Sequence, residues 1–184
     1  DLSSITLKAC TRVTDASLAK LVFSCLKLTD ANIVSKSKGD QYCAAMASRS
    51  KDVTAIDLKD CWATDAGLEV LVVNCPNLMP DDIASTNKGD RFCVAVAKQH
   101  PGLTSINLAT CILTGRGAVA LVEGCKNLTS IDMTDCNNVL DRDLAALVRD
   151  FPRLDPNNIK CSSKGMQFCV AVCKIHPELT SLDL

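Results

Sequence analysis

Residues 53–75 read VTAIDLKDCWATDAGLEVLVVNC, and the placing of apolar residues in this stretch decides the fold. Val53, Ile56 and Leu58 stand at positions 1, 4 and 6, and the 4-to-6 alternation predicts a short strand with one face buried. Leu68, Leu71 and Val72 follow at positions 16, 19 and 20, the i, i+3, i+4 spacing of one helix face. The stretch therefore predicts a strand, a turn, a helix and a return.

The same pattern recurs along the chain. Its first position falls at Leu2, Leu28, Val53, Leu78, Leu103, Leu128, Leu154 and Leu179, in steps of 26, 25, 25, 25, 25, 26 and 25 residues. A register kept that long marks a solenoid rather than an ordinary domain. Two unit types share it. The first includes LTSINLATC from Leu103 and LTSIDMTDC from Leu128; the second reads LMPDDIASTNKGDRFCVAVAKQHPG from Leu78, with relatives from Leu28 and Leu154. Tyr42, Phe92 and Phe168 fill helix position 15 in the second type, where the first type has Gly67 or Ser17. Large beside small in successive layers predicts a packing column. Asp15, Asp40, Asp65, Asp90 and Asp141 are expected to cap helix N-termini, and Gly39, Gly89 and Gly165 to supply a turn. Ala31, Asp81 and Asn157 occupy position 4 of the second type, where a strand would bury an aliphatic group. Pro80-Asp81 and Pro156-Asn157 instead predict irregular backbone there.

The first-type units resemble the cysteine-containing class of leucine-rich repeats, as VTAIDLKDCWATDAGLEVLVVNC illustrates. SKGDQYCAAMA (37–47) and NKGDRFCVAVA (87–97) are similar to the ribonuclease-inhibitor-like class. The resemblance implies an α/β leucine-rich-repeat solenoid, a curved horseshoe with a parallel sheet on its concave side and helices outside. Residues 1–184 are expected to form a single domain of seven repeats and a partial eighth, its eight strands making one sheet. With no polar cap at either end, a fragment of a longer array is expected, or end-to-end packing through uncapped termini. The resemblance further implies protein binding, including the substrate-recognition arm of an F-box type ubiquitin ligase. A structural scaffold in a larger assembly, or a pathogen effector delivered into host cytosol, would share the pattern.

Composition narrows the function. Lys plus Arg number 20 against 21 Asp plus Glu, a net charge of -1 without like-charged blocks. That speaks against nucleic acid, and six aromatics make no base-stacking platform. No apolar run predicts a membrane span. Of twelve cysteines, ten fall at repeat positions 9, 16 and 23, leaving Cys161 and Cys173 as extras. Reduced, buried thiols in an intracellular, cytoplasmic setting are expected. Cys169, Cys173 and His176 share a helix face at i, i+4, i+7, with Cys161 as a conceivable fourth zinc ligand. Their places in the repeat argue for packing, so no metal and no cofactor are expected. Neither histidine sits near a sequence pattern of nucleophilic catalysis, and no enzyme activity is expected.

Binding is expected on the outward strand positions. Column 5 holds Thr6, Asn32, Asp57, Asp82, Asn107, Asp132, Asn158 and Asp183; column 7 includes Lys8, Lys59 and Lys160. An acidic ridge of this kind would suit a basic partner protein. Trp62, in the strand-to-helix turn, is either a binding anchor or a cover over the core, and Arg116 and Arg142 would extend its rim. The candidate partner-binding residues are Asp57, Lys59, Trp62, Asp82, Asn107, Asp132 and Asn158.

Overall fold

The computed structural model describes residues 2–8 and 10–184. Contacts divide the chain into two compact units, Asp1–Asn87 and Lys88–Leu184. The first unit runs β1 (Ile5–Thr6), α1 (Asp15–Ser24), β2 (Ile33–Val34), α2 (Asp40–Arg49), β3 (Ile56–Asp57), α3 (Asp65–Asn74) and β4 (Ile83–Ala84). The second runs α4 (Asp90–Gln99), β5 (Ser105–Asn107), α5 (Gly115–Gly124), β6 (Ser130–Asp132), α6 (Asp141–Asp150), β7 (Ile159–Lys160) and α7 (Met166–Ile175). Short parallel strands thus alternate with ten-residue helices, one pair per repeat, as in a repeat solenoid. The predicted apolar faces form the core: Leu68, Leu71 and Val72, like Leu144, Leu147 and Val148, are sealed from solvent. So are Tyr42, Phe92 and Phe168, and the packing column stands.

The strands do not make the single sheet expected. β1 pairs with β2, β3 with β4, and β5 with β6 and β7, while residues 179–184 form no strand. The cause lies in the second-type repeat. Asp30–Asn32, Pro80–Asp82 and Pro156–Asn158 are single 3-10 turns; the latter two start with proline, whose fixed φ suits a helical start and whose missing N–H is not needed there. This irregular backbone is where the Pro-Asp and Pro-Asn pairs predicted it. The turn also shifts the strand by two residues, so Ile5 pairs with Ile33, Ile56 with Ile83 and Ile131 with Ile159.

The aspartates act differently from expectation. Each of Asp15, Asp40, Asp90 and Asp141 is the first residue of its own helix, and its carboxylate reaches the N-terminus of the next one. Asp15 accepts from the backbone N–H of Gly39, Gln41 and Tyr42, each at 2.8 Å. Asp141 does the same for Gly165, Gln167 and Phe168, each at 2.9 Å. Asp40 takes the Thr64 N–H and hydroxyl, and Asp90 those of Thr114 together with the Gly117 N–H. A carboxylate on unpaired helix N–H groups satisfies them and complements the helix dipole. Desolvation opposes the charge on Asp141, but its three backbone donors prevail and hold the carboxyl below its ordinary value of 3.8. Arginine serves the opposite helix ends: Arg49 donates to the Val22 and Cys25 carbonyls of the preceding repeat, and Arg153 to those of Lys126 and Cys125.

This contact also explains the glycines. Gly39, Gly89 and Gly165 have φ of -124°, -117° and -144°, extended backbone rather than left-handed turns. A Cβ on Gly39 would lie 2.6 Å from Asp15 Oδ2, and one on Gly117 would lie 2.6 Å from Asp90 Oδ1. At Gly39, Gly117 and Gly165 glycine is there to let the carboxylate in. The left-handed residues are elsewhere, at Asp60, Thr110 and Asp135 in the strand-to-helix turns.

One junction departs from the pattern. At α5, Gly115 stands where five of the other six described helices begin with aspartate (α7 begins with Met166), and the carboxylate comes from Asp143 of α6. It caps the Leu140 N–H of its own helix at 3.0 Å, and its Cγ would lie 2.5 Å from a Cβ on Gly115. Here α5 and α6 touch far less than α4 and α5 do, and a cleft of about 320 Å³ lies between them, lined by Gly115, Val119, Ala120, Asp143 and Ala146.

Replacing Asp90 by Ala is expected to destabilise the chain by about 2 kcal/mol, since it strips charge-assisted bonds from three donors. Gly117→Ala, which forces the same carboxylate aside, should cost about 1–3 kcal/mol. Chemical denaturation checks both, and unchanged midpoints would contradict the bridging role.

Candidate interaction surface

The two-residue shift takes apart the acidic ridge expected from the sequence. Asn32, Asp82 and Asn158 belong to the 3-10 turns, not to a strand column with Asp57, Asn107 and Asp132. Across the strands, Asp57 stands beside Ala84, and Asn107 beside Asp132, which stands beside Lys160. Each carboxylate has local business. Asp57 accepts the Lys59 N–H, and Asp132 accepts the Thr134 N–H and hydroxyl, with the Lys160 ammonium 3.9 Å away. The basic partner inferred from a continuous ridge loses that ground.

What the structure does assemble in the first unit is a pocket of about 390 Å³ on the strand side, between β2 and β3. Its foundation is a buried ion pair that the sequence reading missed. Lys38 and Asp30 are 3% and 6% exposed, and their charges meet at 2.7 Å. Asp30 also accepts from the Tyr42 hydroxyl at 2.6 Å and the Asp57 N–H at 2.9 Å, while Lys38 donates to the Asp57 carbonyl at 3.1 Å. The edge of β3 facing β2 is therefore satisfied by side chains, and the two strands do not pair. Burial, and then Asp30 beside it, pushes the Tyr42 hydroxyl far above its ordinary value, so it stays a donor.

The same device recurs in the second unit. Lys164 donates to the Asp183 carbonyl at 2.6 Å, and the Asp183 N–H donates to Asn157 Oδ1 at 2.9 Å. That explains why residues 179–184 do not join β7, and a pocket of about 280 Å³ lies there, lined by Thr134, Lys160, Ser162 and Lys164 among others. Lys38, Lys88 and Lys164 each hold an ammonium 5.3–5.5 Å from the centre of the aromatic ring four residues on. The signal was present in the sequence, as a lysine before each glycine and an aromatic four positions later.

Four lysines and two aspartates line the first-unit pocket. With Lys38 paired to Asp30, the exposed Lys8, Lys36 and Lys59 face Asp57 alone. Cys61 forms part of the wall, and the next residue, Trp62, is 62% exposed, its backbone N–H bonded to the Lys38 carbonyl at 2.9 Å. Trp62 is thus no cover over the core. Arg116 and Arg142 lie in the first turns of α5 and α6 rather than in the rim turns.

Four of the twelve cysteines take part in the repeat-to-repeat bonding. Cys61, Cys75, Cys125 and Cys136 donate their thiol protons to carbonyls of the preceding repeat, at Ser35, Ser50, His100 and Leu108. Burial raises the thiols of Cys43, Cys61, Cys75, Cys111 and Cys125, and pushes Cys136 up to about 11. Such thiols stay protonated near neutrality and are poor nucleophiles. Among the described residues no three histidines, cysteines or carboxylates are placed to hold a metal ion. Cys161 is buried, Cys169 half-buried and Cys173 exposed, against the expectation that α7 buries both helix cysteines. In earlier repeats the next helix covers this face, as Gly117 approaches Cys93; no described helix follows α7. Among the described residues, no helix is long and apolar enough to cross a membrane.

No family model matches the chain. No curated protein matches it either. Among solved structures, the chain is similar to one chain of the crystal structure of the Rad7 and Elc1 complex in yeast, with 18% identity and a TM-score of 0.47. The match covers 84% of this chain but only 42% of that one.

Lys38→Met is expected to cost about 3 kcal/mol or more, because it strands the buried Asp30 charge. Asp30→Asn strands the Lys38 ammonium in turn but should cost less, since that ammonium keeps the Asp57 carbonyl as an acceptor and an amide oxygen can still take the Asp57 N–H. Equal losses in urea unfolding would contradict this division of roles.

Proposed function

We propose that the chain is a leucine-rich-repeat module that binds another protein through its strand side and strand-to-helix rim, without catalysing a reaction. The observation that carries this reading is what remains for solvent once the repeats are joined. The aspartates, the motif lysines and most position-9 and position-23 thiols are engaged in bonds between repeats. Trp62 and Ile112, by contrast, stand at the same repeat position and project 62% and 48% of their surface. Exposed large apolar groups on a well-tied turn suit anchors for a partner. Nothing in their local bonding requires a tryptophan. Both histidines are helix C-caps with buried Nε2 atoms, and burial lowers the acidity range of His100, so it suits neutral packing.

Affinity capture from cell extracts with the intact chain tests the proposal. Trp62→Ala is expected to lower recovery of the specific partner by about 10-fold or more, the effect of losing an interface anchor, with unfolding midpoints unchanged. Full recovery with Trp62→Ala and Ile112→Ala alike would refute a binding role for this face.

A further inference from the structure

We infer that the pocket between β2 and β3 receives an acidic segment of the partner, with a carboxylate side chain held among Lys8, Lys36 and Lys59. The inference rests on the protein-binding reading above and reverses the charge of partner that the sequence suggested. Lys8, Lys36 and Lys59 each stand two residues beyond a strand end, so three successive strands deliver a cation to one mouth. Among the described residues none of these three ammonium groups forms an ion pair. Like charges gathered around a concave wall raise the local concentration of anions. The pocket floor is already bonded and neutralised, because Lys38 is spent on Asp30 and the Asp57 carbonyl. An arriving carboxylate therefore meets the rim lysines, not the structural pair.

The second unit provides an internal comparison. The same lysine-to-carbonyl wedge makes the pocket beside β7, yet Thr134 and Ser162 stand where the first unit has Lys8 and Lys36. Its Lys160 already faces Asp132. The repeat architecture thus makes the pocket, and the cationic rim is a separate feature that holding the repeats together does not require. A protein segment fits better than nucleic acid. The net charge is -1, and the cations ring one cavity of about 390 Å³ rather than forming the track a phosphate backbone needs. Trp62, exposed, next in sequence to Cys61 of the pocket wall and tied to the Lys38 carbonyl, offers an apolar group to the same segment. The fitting motif is therefore acidic residues next to a large apolar one.

The test uses the full chain and a labelled hexapeptide of three glutamates, a leucine and two glycines. Binding is read by anisotropy and by the emission of Trp62, the chain's one tryptophan. Saturable binding that weakens with salt and shifts Trp62 emission is expected, with about tenfold loss in Lys36→Glu or Lys59→Glu. Both positions are exposed, so folding should be spared. Thr134→Lys combined with Ser162→Lys should add a second binding event that leaves Trp62 silent. Equal binding of the glutamine version of the peptide, indifference to the lysine variants, or equal competition by a single-stranded oligonucleotide would overturn the inference. A chain that still captures its partner through Trp62 but ignores the peptide fails only this inference; one that does neither fails the protein-binding reading as well.

Discussion

The bond on which four of the repeat junctions depend, two in each unit, is a carboxylate at the head of one helix lodged against the head of the next. A 25-residue unit with a ten-residue helix and a two- or three-residue strand cannot bury its apolar face alone. It must fix its neighbour at a set distance and rotation. Asp15, Asp40, Asp90 and Asp141 do this where it is most effective, on backbone donors that have no partner within their own helix. The glycines at the receiving end follow from it, because a side chain there would collide with the carboxylate. The α5–α6 junction shows the dependence from the other side. Gly115 replaces the bridging aspartate, Asp143 turns to its own helix, and a cleft separates the two helices.

A second device sets the strand side. In the second-type repeat a 3-10 turn consumes the residues that would have begun the strand, and a lysine reaches across to the next strand's carbonyl. Together they end each small sheet after the second-type strand within both units, and they open the pockets that a continuous sheet would close. Sheet breaks and pockets have one cause.

The period, the helix faces and the aromatic column were legible in the sequence because each depends on spacing within one repeat. Leu68, Leu71 and Val72 announce their face whatever lies next to them. What escaped the reading depends on partners in the neighbouring repeat. Nothing in the local sequence says that Asp15 serves Tyr42, 27 residues on, or that Cys136 reaches the Leu108 carbonyl. The acidic column failed for a related reason. Counting from Leu28 or Leu78 assumes that both unit types enter the strand in the same way, and the turn at Asp30–Asn32 or Pro80–Asp82 moves the register by two. The prolines flagged the irregularity, but not its effect on which residues share a row. Of the candidate site residues, Asp57 and Lys59 line one pocket, and Trp62 follows Cys61 of its wall. Asp82 and Asn158 moved into turns, and Asn107 and Asp132 form a separate row.

The exceptional junction also gives the most direct test of the central bond. Exchanging its two residues, Gly115→Asp with Asp143→Gly, would restore the arrangement of the other helices, with the Leu140 amide passing to the new carboxylate. Unfolding free energies of the parent, both single variants and the double variant form a complete cycle. The account predicts that Gly115→Asp and Asp143→Gly each destabilise the chain, and that the double variant recovers to at least the parent's stability. A double variant whose loss equals the sum of the two single losses would contradict it.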